Sequence, residues 1–516
     1  MNLRLQLKNG FNKWRLVLLI FFIVYAVLLL LELGYMSIQW DEAPHLYGGL
    51  LLTRGRLQEY ISTYGYYPPL YDLLTAGYFG IFGEAAASGR LVTVTFSLLT
   101  MWLVFEFAKR TYGPRTALIS SLMLGIMPGF FWVSRVAMLE TILMFFFSLS
   151  LFFFLSWLRF HKNKTLILCG LTLGAGFLAK YQILVAGLVM IAALLLLYRK
   201  KLRARSKFLL LPIIALLVVV PWVFIVVQKN GLERFGELLY VIKEGGQDRA
   251  IYSSRFPMPI FYLVEITWPF NDIPVHPISL PIYILCLLGL GVWAYRKKPE
   301  DKFFLIWFIV VYAFFTLIPN KQWRYVTPLF PVLAISAASF MIFVWGKLAA
   351  SWKRERISLS KQKALRVTAG LFVVLAASAV VYSSYETYQM VARDQIHVPI
   401  DEATAYAASH MSQNESIVLL SPFNLFNQDM VRFYLPAQFK QEQVFQYPEL
   451  PIDSFASTFN VSELIALCVV KNVKYVFLYE HADVMEVYVK LNDTGRFTYE
   501  HVVGDVPHSI SILSFK

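Results

Sequence analysis

The chain has 516 residues, of which 58% are hydrophobic, 16% aromatic and 16% charged. A typical soluble protein carries about 25% charged residues, so this chain has too few polar groups to cover a surface in water. Runs of about 20 apolar residues, the length that crosses a bilayer, recur along it. The composition excludes a soluble multidomain protein and predicts a polytopic α-helical membrane protein.

The sequence lacks the motifs of several common sites. The three cysteines show no CxxC spacing, the eight histidines form no HExxH pair, and no GxxxxGK[ST] loop occurs. A disulfide framework, a structural zinc site and direct ATP hydrolysis are therefore not expected. We predict no definite cofactor. A divalent metal ion is the one cofactor that the sequence leaves open.

The net charge of +14 is distributed unevenly. The tail from Glu386 onward has 8 basic and 16 acidic residues, so the positive excess lies entirely in the preceding part. In a soluble protein such an excess suggests nucleic acid as a partner. In a membrane protein the same positive excess indicates which loops lie on the cytoplasmic side. The expected partner is therefore the lipid bilayer rather than nucleic acid.

Eleven apolar runs predict transmembrane helices. The first follows Lys13 and Arg15, is longer than a signal-peptide core and has no obvious small-residue cleavage site, so we expect it to be retained. The runs cover Leu16–Leu31, 88–108, 116–132, 141–158, 165–179, 182–198, 208–227, 278–295, 303–318, 326–346 and 367–385.

Basic residues concentrate in alternate loops between these runs. If the N-terminus is inside, the inner segments hold 27 of the 47 lysines and arginines, opposed there only by Glu300, Asp301 and Glu355. Short loops rich in basic residues stay in the cytoplasm. The sequence predicts a multi-pass plasma membrane protein (endoplasmic reticulum if eukaryotic) with a cytoplasmic N-terminus and an extracytoplasmic tail.

Two domains are predicted. Residues 1–385 form the transmembrane domain, with outer loops at 34–87 and 228–277, and the glycine-rich segment 244–249 is a candidate lid. Residues 386–516 form a soluble α/β domain. Its residue patterns predict strands at Ser416–Leu420 and Lys474–Tyr479, a helix at Ser462–Val470 and an edge strand at Ser509–Phe515.

Two adjacent carboxylates follow the first apolar run, in Gln39-Trp40-Asp41-Glu42-Ala43-Pro44-His45. Carboxylates at a membrane face are costly unless they are solvated or used. One interpretation is structural: Asp41 caps a helix over His45–Leu57, and Glu42 interacts favourably with its dipole. The other makes Asp41 a base, and the two interpretations are compatible because a cap would hold the carboxylate rigidly.

A step rich in tyrosine and proline comes next, Tyr64-Gly65-Tyr66-Tyr67-Pro68-Pro69-Leu70-Tyr71. Paired prolines favour an extended backbone. Tyrosines suit either the membrane interface or a surface on which a sugar stacks. The following segment, Leu70–Phe82, is predicted to lie in the interface or re-enter it.

Three charged residues lie at predicted outer ends of spans. Arg135 and Glu140 are five residues apart, a spacing that does not favour a helical ion pair, so each either caps or pairs elsewhere or serves the function. Lys180 follows three glycines in 170–176 whose spacing predicts close helix contacts. It is either a lysine that snorkels to the interface or a functional cation.

The loop Pro319-Asn320-Lys321-Gln322-Trp323-Arg324-Tyr325-Val326-Thr327-Pro328 places two cations on the predicted outer side. The positive-inside rule disfavours cations there, so Lys321 and Arg324 need an anionic partner. A phosphate is a natural one. Anchoring to anionic lipid is the alternative.

A carboxylate, several cations and aromatic residues on one face suit transfer from a lipid-phosphate donor to a hydroxyl. These residues resemble the GT-C class of membrane glycosyltransferases, specifically the dolichyl-phosphate-mannose protein mannosyltransferase group and its prokaryotic relatives, over about residues 10–345. In chain order, the resemblance is carried by Asp41-Glu42, Tyr67-Pro68-Pro69-Leu70, Gly83 with Arg90-Leu91, Lys180, and Lys321 with Arg324-Tyr325, Pro328 and Pro331.

The resemblance implies an inverting transfer of a sugar, most typically a mannose-type hexose, from a polyprenyl- or dolichyl-phosphate donor to a hydroxyl of a protein or glycolipid. It implies that Asp41 is the general base and that base and cations meet in one cavity. Glu42 and His45 would orient Asp41, and a role for Glu42 as a backup base or acceptor ligand fits equally well. The implied donor-phosphate ligands are Lys180, Lys321, Arg324 and Tyr325; the implied substrate-binding residues are His45, Tyr67, Arg135 and Glu140. No residue is assigned to a metal.

The sequence departs from the family at two positions. Relatives that modify lipid A carry an acidic residue and a lysine where this chain has Tyr66 and Tyr67, which weakens the case for that substrate and for a metal site built on that acid. Many relatives have aspartate where this chain has Glu140. The tail resembles no part of the family.

Two rival functions fit the sequence less well. A secondary transporter would place coupling charges and broken helices near the membrane midplane, with internal repeats. Here the charges lie at span ends, and no repeat is visible. A scaffold whose acidic tail binds a partner would not explain the charged residues at the outer ends of the predicted spans.

Overall fold

The structure, a computed structural model, describes residues 2–197, 207–231, 233, 256–268, 276–352, 359–393, 397–421, 426–448, 459–480 and 484–516. The candidate lid at 244–249 lies outside these residues. Contacts divide the chain into two compact units, which are described separately. The helical unit comprises Met1–Leu31, Ile61–Tyr71 and Arg90–Ala392, and the loop–tail unit comprises Glu32–Tyr60, Asp72–Gly89 and Arg393–Lys516.

Helices dominate the described residues. The α-helices are α1 (Asn2–Leu30), α2 (Ala43–Thr53), α3 (Leu57–Tyr64), α4 (Leu70–Phe82), α5 (Ala86–Tyr112), α6 (Pro114–Gly125), α7 (Pro128–Val133), α8 (Glu140–Phe160), α9 (Asn163–Ala179), α10 (Leu184–Leu197), α11 (Leu210–Asn230), α12 (Phe261–Glu265), α13 (Leu280–Arg296), α14 (Pro299–Leu317), α15 (Phe330–Trp352), α16 (Leu359–Arg393), α17 (Ile400–His410), α18 (Gln428–Tyr434), α19 (Val461–Val470) and α20 (Val484–Asn492). Short 3-10 helices occupy Tyr181–Ile183, Met258–Ile260, Trp323–Leu329 and Gln441–Gln443.

The predicted apolar runs all fall on helices, and the protein is a multi-pass membrane protein. Within the described ranges, five helices are long and apolar enough to cross a bilayer: Ala86–Tyr112, Glu140–Phe160, Lys207–Asn230, Trp323–Trp352 and Gln362–Ala392. Shorter apolar helices include Leu16–Leu30, Asn163–Ala179, Tyr181–Leu197 and Leu280–Arg296. The number of eleven spans stays a prediction.

The run predicted as one span at 116–132 is not a single helix. It is divided into α6 and α7, with Met127 in an extended conformation between them. Pro128 is the reason, because proline disfavours a helical conformation in the preceding residue and has no N–H to continue the hydrogen-bond ladder.

Glycines bring α9 and α11 close together, as their spacing predicts. A Cβ added at Gly174 would lie 2.8 Å from the carbonyl oxygen of Ala215, and one at Gly170 would lie 2.8 Å from the Cβ of Ile214. Side chains larger than hydrogen would push the two helices apart. The prediction of a close helix contact is confirmed.

The tail contains a five-stranded sheet with the strand order β2-β1-β3-β5-β4. Its strands are β1 (Ser416–Leu420), β2 (Val444–Gln446), β3 (Val473–Tyr479), β4 (Phe497–Val503) and β5 (Ile510–Phe515). Strands β1, β2 and β3 are parallel, and β5 pairs antiparallel with both β3 and β4. The predicted strands at 416–420 and 474–479 and the helix at 462–470 are confirmed.

The prediction of an edge strand at Ser509–Phe515 is wrong. Strand β5 lies inside the sheet, and β4 forms that edge. Strand β4 has the sequence Phe-Thr-Tyr-Glu-His-Val-Val, and its middle residues are exposed on both faces. The exposed residues in the middle of β4 obscure the apolar pattern of a strand, so the sequence analysis did not predict β4. Without β4, the strand at 509–515 was expected to form the edge of the sheet.

The tail packs against the segments 32–60 and 72–89 within the loop–tail unit. The backbone N–H of Val398 donates to the hydroxyl of Ser37 over 2.6 Å, and α18 packs on α2. The rings of Phe79 and Phe433 lie 6.0 Å apart. The contacts therefore group the chain differently from the predicted boundary at residue 385.

Candidate functional site

In the helical unit, Arg135 lies in the turn between α7 and α8. Its guanidinium donates to the carbonyl oxygens of Leu28 and Leu29, each at 3.0 Å, and of Leu31 at 2.7 Å. The last carbonyls of a helix have no partner within the helix, and a cation there also complements its dipole. Arg135 thus caps the C-terminal end of α1, which is the structural alternative that the sequence left open.

Glu140 and Lys180 form an ion pair between the start of α8 and the break after α9. Glu140 Oε1 lies 2.8 Å from Lys180 Nζ, and the two side chains are 4% and 18% exposed. Lys180 is extended, with φ −160° and ψ 129°, between the end of α9 and the 3-10 helix that follows it. The sequence does not predict this pair, because the two residues are forty positions apart.

Aromatic residues adjoin the Lys180 break. The hydroxyl of Tyr181 donates to the carbonyl oxygen of Tyr66 over 2.7 Å. The rings of Tyr66 and Tyr67 lie 4.4 Å apart and are tilted by 35°. The predicted substrate-binding residue Tyr67 is therefore held near the chain that carries Lys180.

The loop before α15 carries the other two predicted cations. Lys321 is buried, and its ammonium donates to the carbonyl oxygen of Ile318 over 2.6 Å. Burial lowers the pKa of the Lys321 ammonium, because removal from water disfavours the charged form. Tyr325 is half-buried, with its ring 6.5 Å from that of Phe315.

Arg324 reaches the turn that precedes Glu140. One terminal guanidinium nitrogen lies 3.2 Å from the sulfur of Met138, and the other donates to the side-chain oxygen of Gln322 over 3.0 Å. Met138 is two residues from Glu140, which pairs with Lys180. The structure thus brings Arg324, Glu140 and Lys180 to one turn of the chain, and these three residues are called the charged row below.

In the loop–tail unit, the adjacent carboxylates of Asp41 and Glu42 have different environments. Asp41 is exposed, whereas Glu42 is fully buried and its Oε2 accepts a hydrogen bond of 3.0 Å from the backbone N–H of Gln39. Glu42, not Asp41, occupies the N-cap position of α2, and its side chain makes no capping hydrogen bond. The interpretation of Asp41 as the cap of a helix over His45–Leu57 is therefore wrong, since the helix covers Ala43–Thr53 and Glu42 directly precedes it.

His45 contacts a buried carboxylate that the sequence analysis missed. Its Nδ1 lies 2.9 Å from Oδ1 of Asp72, and the hydroxyl of Tyr60 donates to Oδ2 of Asp72 over 2.8 Å. Asp72 is 1% exposed and lies in the first turn of α4. Its position at the start of an otherwise apolar helix is the signal that could have identified it, because a buried carboxylate requires partners.

Among the described residues, no group of three or more histidine, cysteine, aspartate or glutamate side chains is arranged to hold a metal ion. Cys169, Cys286 and Cys468 are buried free thiols.

Comparison with known structures decides the fold. The structure aligns with ArnT from Cupriavidus metallidurans bound to undecaprenyl phosphate, with a TM-score of 0.68 and 17% identity over 96% of this chain and 97% of ArnT. The protein has the GT-C fold. The archaeal oligosaccharyltransferase AglB from Archaeoglobus fulgidus, in complex with an inhibitory peptide and a dolichol-phosphate, has the same fold, with a TM-score of 0.57 and 15% identity over 97% of this chain and 74% of AglB.

Sequence comparison points to the same class as the GT-C fold. A family model described as dolichyl-phosphate-mannose-protein mannosyltransferase matches residues 67–225. Undecaprenyl phosphate-alpha-4-amino-4-deoxy-L-arabinose arabinosyl transferase 2 of Proteus mirabilis is 26% identical over 332 residues, which cover 62% of this chain and 55% of that protein. The chain spans about half the length of the curated relatives it matches. The predicted resemblance to GT-C membrane glycosyltransferases is confirmed.

Proposed function

We propose that this protein is a polyprenyl-phosphate-dependent glycosyltransferase, which moves a sugar from a lipid-linked donor to a hydroxyl acceptor. The names of the relatives support the donor class: one is an arabinosyl transferase that uses an undecaprenyl phosphate sugar, and ArnT and AglB bind undecaprenyl phosphate and dolichol-phosphate. The comparisons do not favour a secondary transporter.

The charged row is the observation that carries this proposal. Two cations contact the turn that ends in Glu140, Arg324 at Met138 and Lys180 at Glu140 itself, and an aromatic pair adjoins Lys180 through Tyr181. Arginine and lysine side chains that are partly withdrawn from water bind phosphate strongly. A sugar can stack on the aromatic rings beside the phosphate.

The reaction needs one general base and positively charged side chains that bind the leaving phosphate. In the proposed reaction the acceptor oxygen attacks the anomeric carbon, and the bond from that carbon to the phosphate oxygen breaks with its electrons on the phosphate. Asp41 takes the proton of the acceptor hydroxyl, a contribution typically worth about 10²–10⁴-fold in rate. Lys180, Lys321, Arg324 and Tyr325 stabilise the charge that develops on the phosphate.

The exposure of Asp41 supports its assignment as the base rather than Glu42. A base has to reach its substrate, and Glu42 is fully buried in the turn before α2. Glu42 then acts by shaping that turn. His45 and Asp72 stiffen the adjoining helices rather than contact the reacting atoms.

The remaining assignments follow the resemblance. The sugar is a mannose-type hexose and the acceptor is a protein or glycolipid. Transfer takes place on the extracytoplasmic face of a prokaryotic plasma membrane, with the N-terminus in the cytoplasm and the tail outside. The uneven charge along the chain supports this orientation.

The proposal is tested by incubating the purified full-length protein with a panel of undecaprenyl-phosphate sugars and following donor consumption. We expect at least one donor to be consumed when an acceptor extract is present. Arg324→Ala should weaken binding of undecaprenyl phosphate roughly 10- to 100-fold, since a hydrogen bond to a charged group is typically worth about 1.5–3 kcal/mol. The matched control is Arg159→Ala, which removes an arginine paired with Glu300. Equal effects of both variants, or a protein that neither binds nor consumes any donor, would contradict the proposal.

A further inference from the structure

Glu140 places a negative charge beside a cation that would hold the donor phosphate. Its carboxylate is 2.8 Å from Lys180 Nζ and only 4% exposed. Water screens a buried charge poorly, so this carboxylate acts on any anion that Lys180 binds. As the first residue of α8, Glu140 also lies at the positive end of the helix dipole.

The lipid donor and the lipid product of the proposed reaction differ in charge. A polyprenyl-phosphate sugar is a phosphodiester with one negative charge. The polyprenyl phosphate left after transfer is a monoester with a second pKa of about 6, so it carries about −1.5 to −2 charges at pH 7. Lysine and arginine side chains alone would therefore bind the product more tightly than the donor and retain it after each turnover.

We propose that Glu140 is a charge-balancing residue that weakens binding of the doubly charged product more than binding of the singly charged donor, and thereby promotes product release. This inference rests on the proposed function. Coulomb energy is proportional to the charge of the ligand. A carboxylate that weakens binding of a monoanion by some factor weakens binding of a dianion by about the square of that factor.

The test compares two probes that differ by one charge. Undecaprenyl phosphate gains its second charge between pH 5 and pH 8, whereas its methyl ester stays a monoanion. Their dissociation constants are measured with the purified full-length protein in detergent at both pH values. In Glu140→Gln we expect the preference for undecaprenyl phosphate over the ester to rise about tenfold at pH 8 relative to the wild type. About tenfold is an order-of-magnitude value for removing the repulsion between one buried carboxylate and one additional ligand charge. At pH 5, where both probes are mainly monoanions, the preference should return to the wild-type value.

The matched control is Glu386→Gln, which neutralises a carboxylate of the helical unit that pairs with His276. This variant should leave the preference unchanged at both pH values. The same preference in Glu140→Gln and the wild type at pH 8, with both probes still bound, would overturn the inference, because Glu140 would then be only a structural partner of Lys180.

A second variant covers the case in which Glu140→Gln does not fold. The double variant Glu140→Gln/Lys180→Gln removes both charges of the pair, whereas Lys180→Gln keeps the carboxylate. At pH 8 the preference for undecaprenyl phosphate over the ester should be about tenfold higher in the double variant than in Lys180→Gln. The same preference in both variants would overturn the inference. A wild-type protein that binds neither probe would refute the proposed function itself, so the two failures are distinguishable.

Discussion

The hydroxyl of Tyr181 donates a hydrogen bond of 2.7 Å to the backbone carbonyl oxygen of Tyr66, which lies 115 residues earlier in the chain. Within the helical unit, this bond joins the aromatic step before the paired prolines to the residue next to Lys180. The predicted sugar-stacking residues and one predicted phosphate ligand are thereby held in register. Since these residues belong to different parts of the sequence, their relative position depends on tertiary contacts of this kind.

Tyr181→Phe should raise the KM for the lipid-linked donor by about fivefold, because a net hydrogen bond is worth about 1 kcal/mol and its loss loosens the aromatic pair. The kcat should change less, since no group in contact with the reacting atoms is removed. Steady-state kinetics with the donor found in the panel would measure both constants. Tyr312→Phe is the matched control, since Tyr312 also donates to a backbone carbonyl, that of Pro259. A KM equal to that of the control would show that the bond does not position the substrate.

Asp41→Asn should abolish transfer, with a loss of at least about 10²-fold in kcat, because the amide cannot accept the proton of the acceptor hydroxyl. Binding of undecaprenyl phosphate should stay within about twofold of the wild type, because Asp41 is not assigned to the phosphate. Asp401→Asn, an exposed change at the start of α17, serves as the control for the same substitution. Near-normal turnover in Asp41→Asn would remove Asp41 from the mechanism.

Arg135→Ala should destabilise the protein by about 2–4 kcal/mol, because the carbonyls at the C-terminal end of α1 lose a charged donor. Thermal unfolding in detergent should show a lower midpoint than the wild type. Arg115→Ala, which removes an exposed arginine from α6, should leave the midpoint almost unchanged. An unchanged midpoint together with a raised KM would instead support the substrate-binding role that the family resemblance implies.

Asp72→Asn should lower the stability of the loop–tail unit by about 1–3 kcal/mol, since the buried carboxyl group that contacts both His45 and Tyr60 is replaced by an amide with one accepting oxygen. The Tyr60 hydroxyl can still donate to the asparagine oxygen, so the loss should be smaller in this variant than in Asp72→Ala. Hydrogen exchange over α2 and α4 would report the change locally. The control Asp493→Asn, a substitution at an exposed position, should leave this exchange unchanged. If the amides of α2 and α4 were protected equally in Asp72→Asn and the wild type, the contact between Asp72 and His45 would contribute little to stability.

Local sequence patterns were sufficient for the class, the apolar helices and much of the tail. The runs around 141–158 and 165–179 predict α8 and α9 because apolar length is a local property of about 20 residues. The strands at Ser416–Leu420 and Lys474–Tyr479 are equally local in origin. The family resemblance also selected Lys180, Glu140 and Arg324 without any knowledge of their contacts.

The tertiary structure alone decided what these residues do to one another. The Glu140–Lys180 pair, the cap that Arg135 provides for α1 and the burial of Asp72 all join positions that are far apart in the chain. The position of β4 at the edge of the sheet is likewise determined by contacts between distant residues, and so is the packing of the tail against the segments 32–60 and 72–89. No sequence window contains both partners of such a contact, so only the folded chain determines whether a charge is neutralised, buried or available to a ligand.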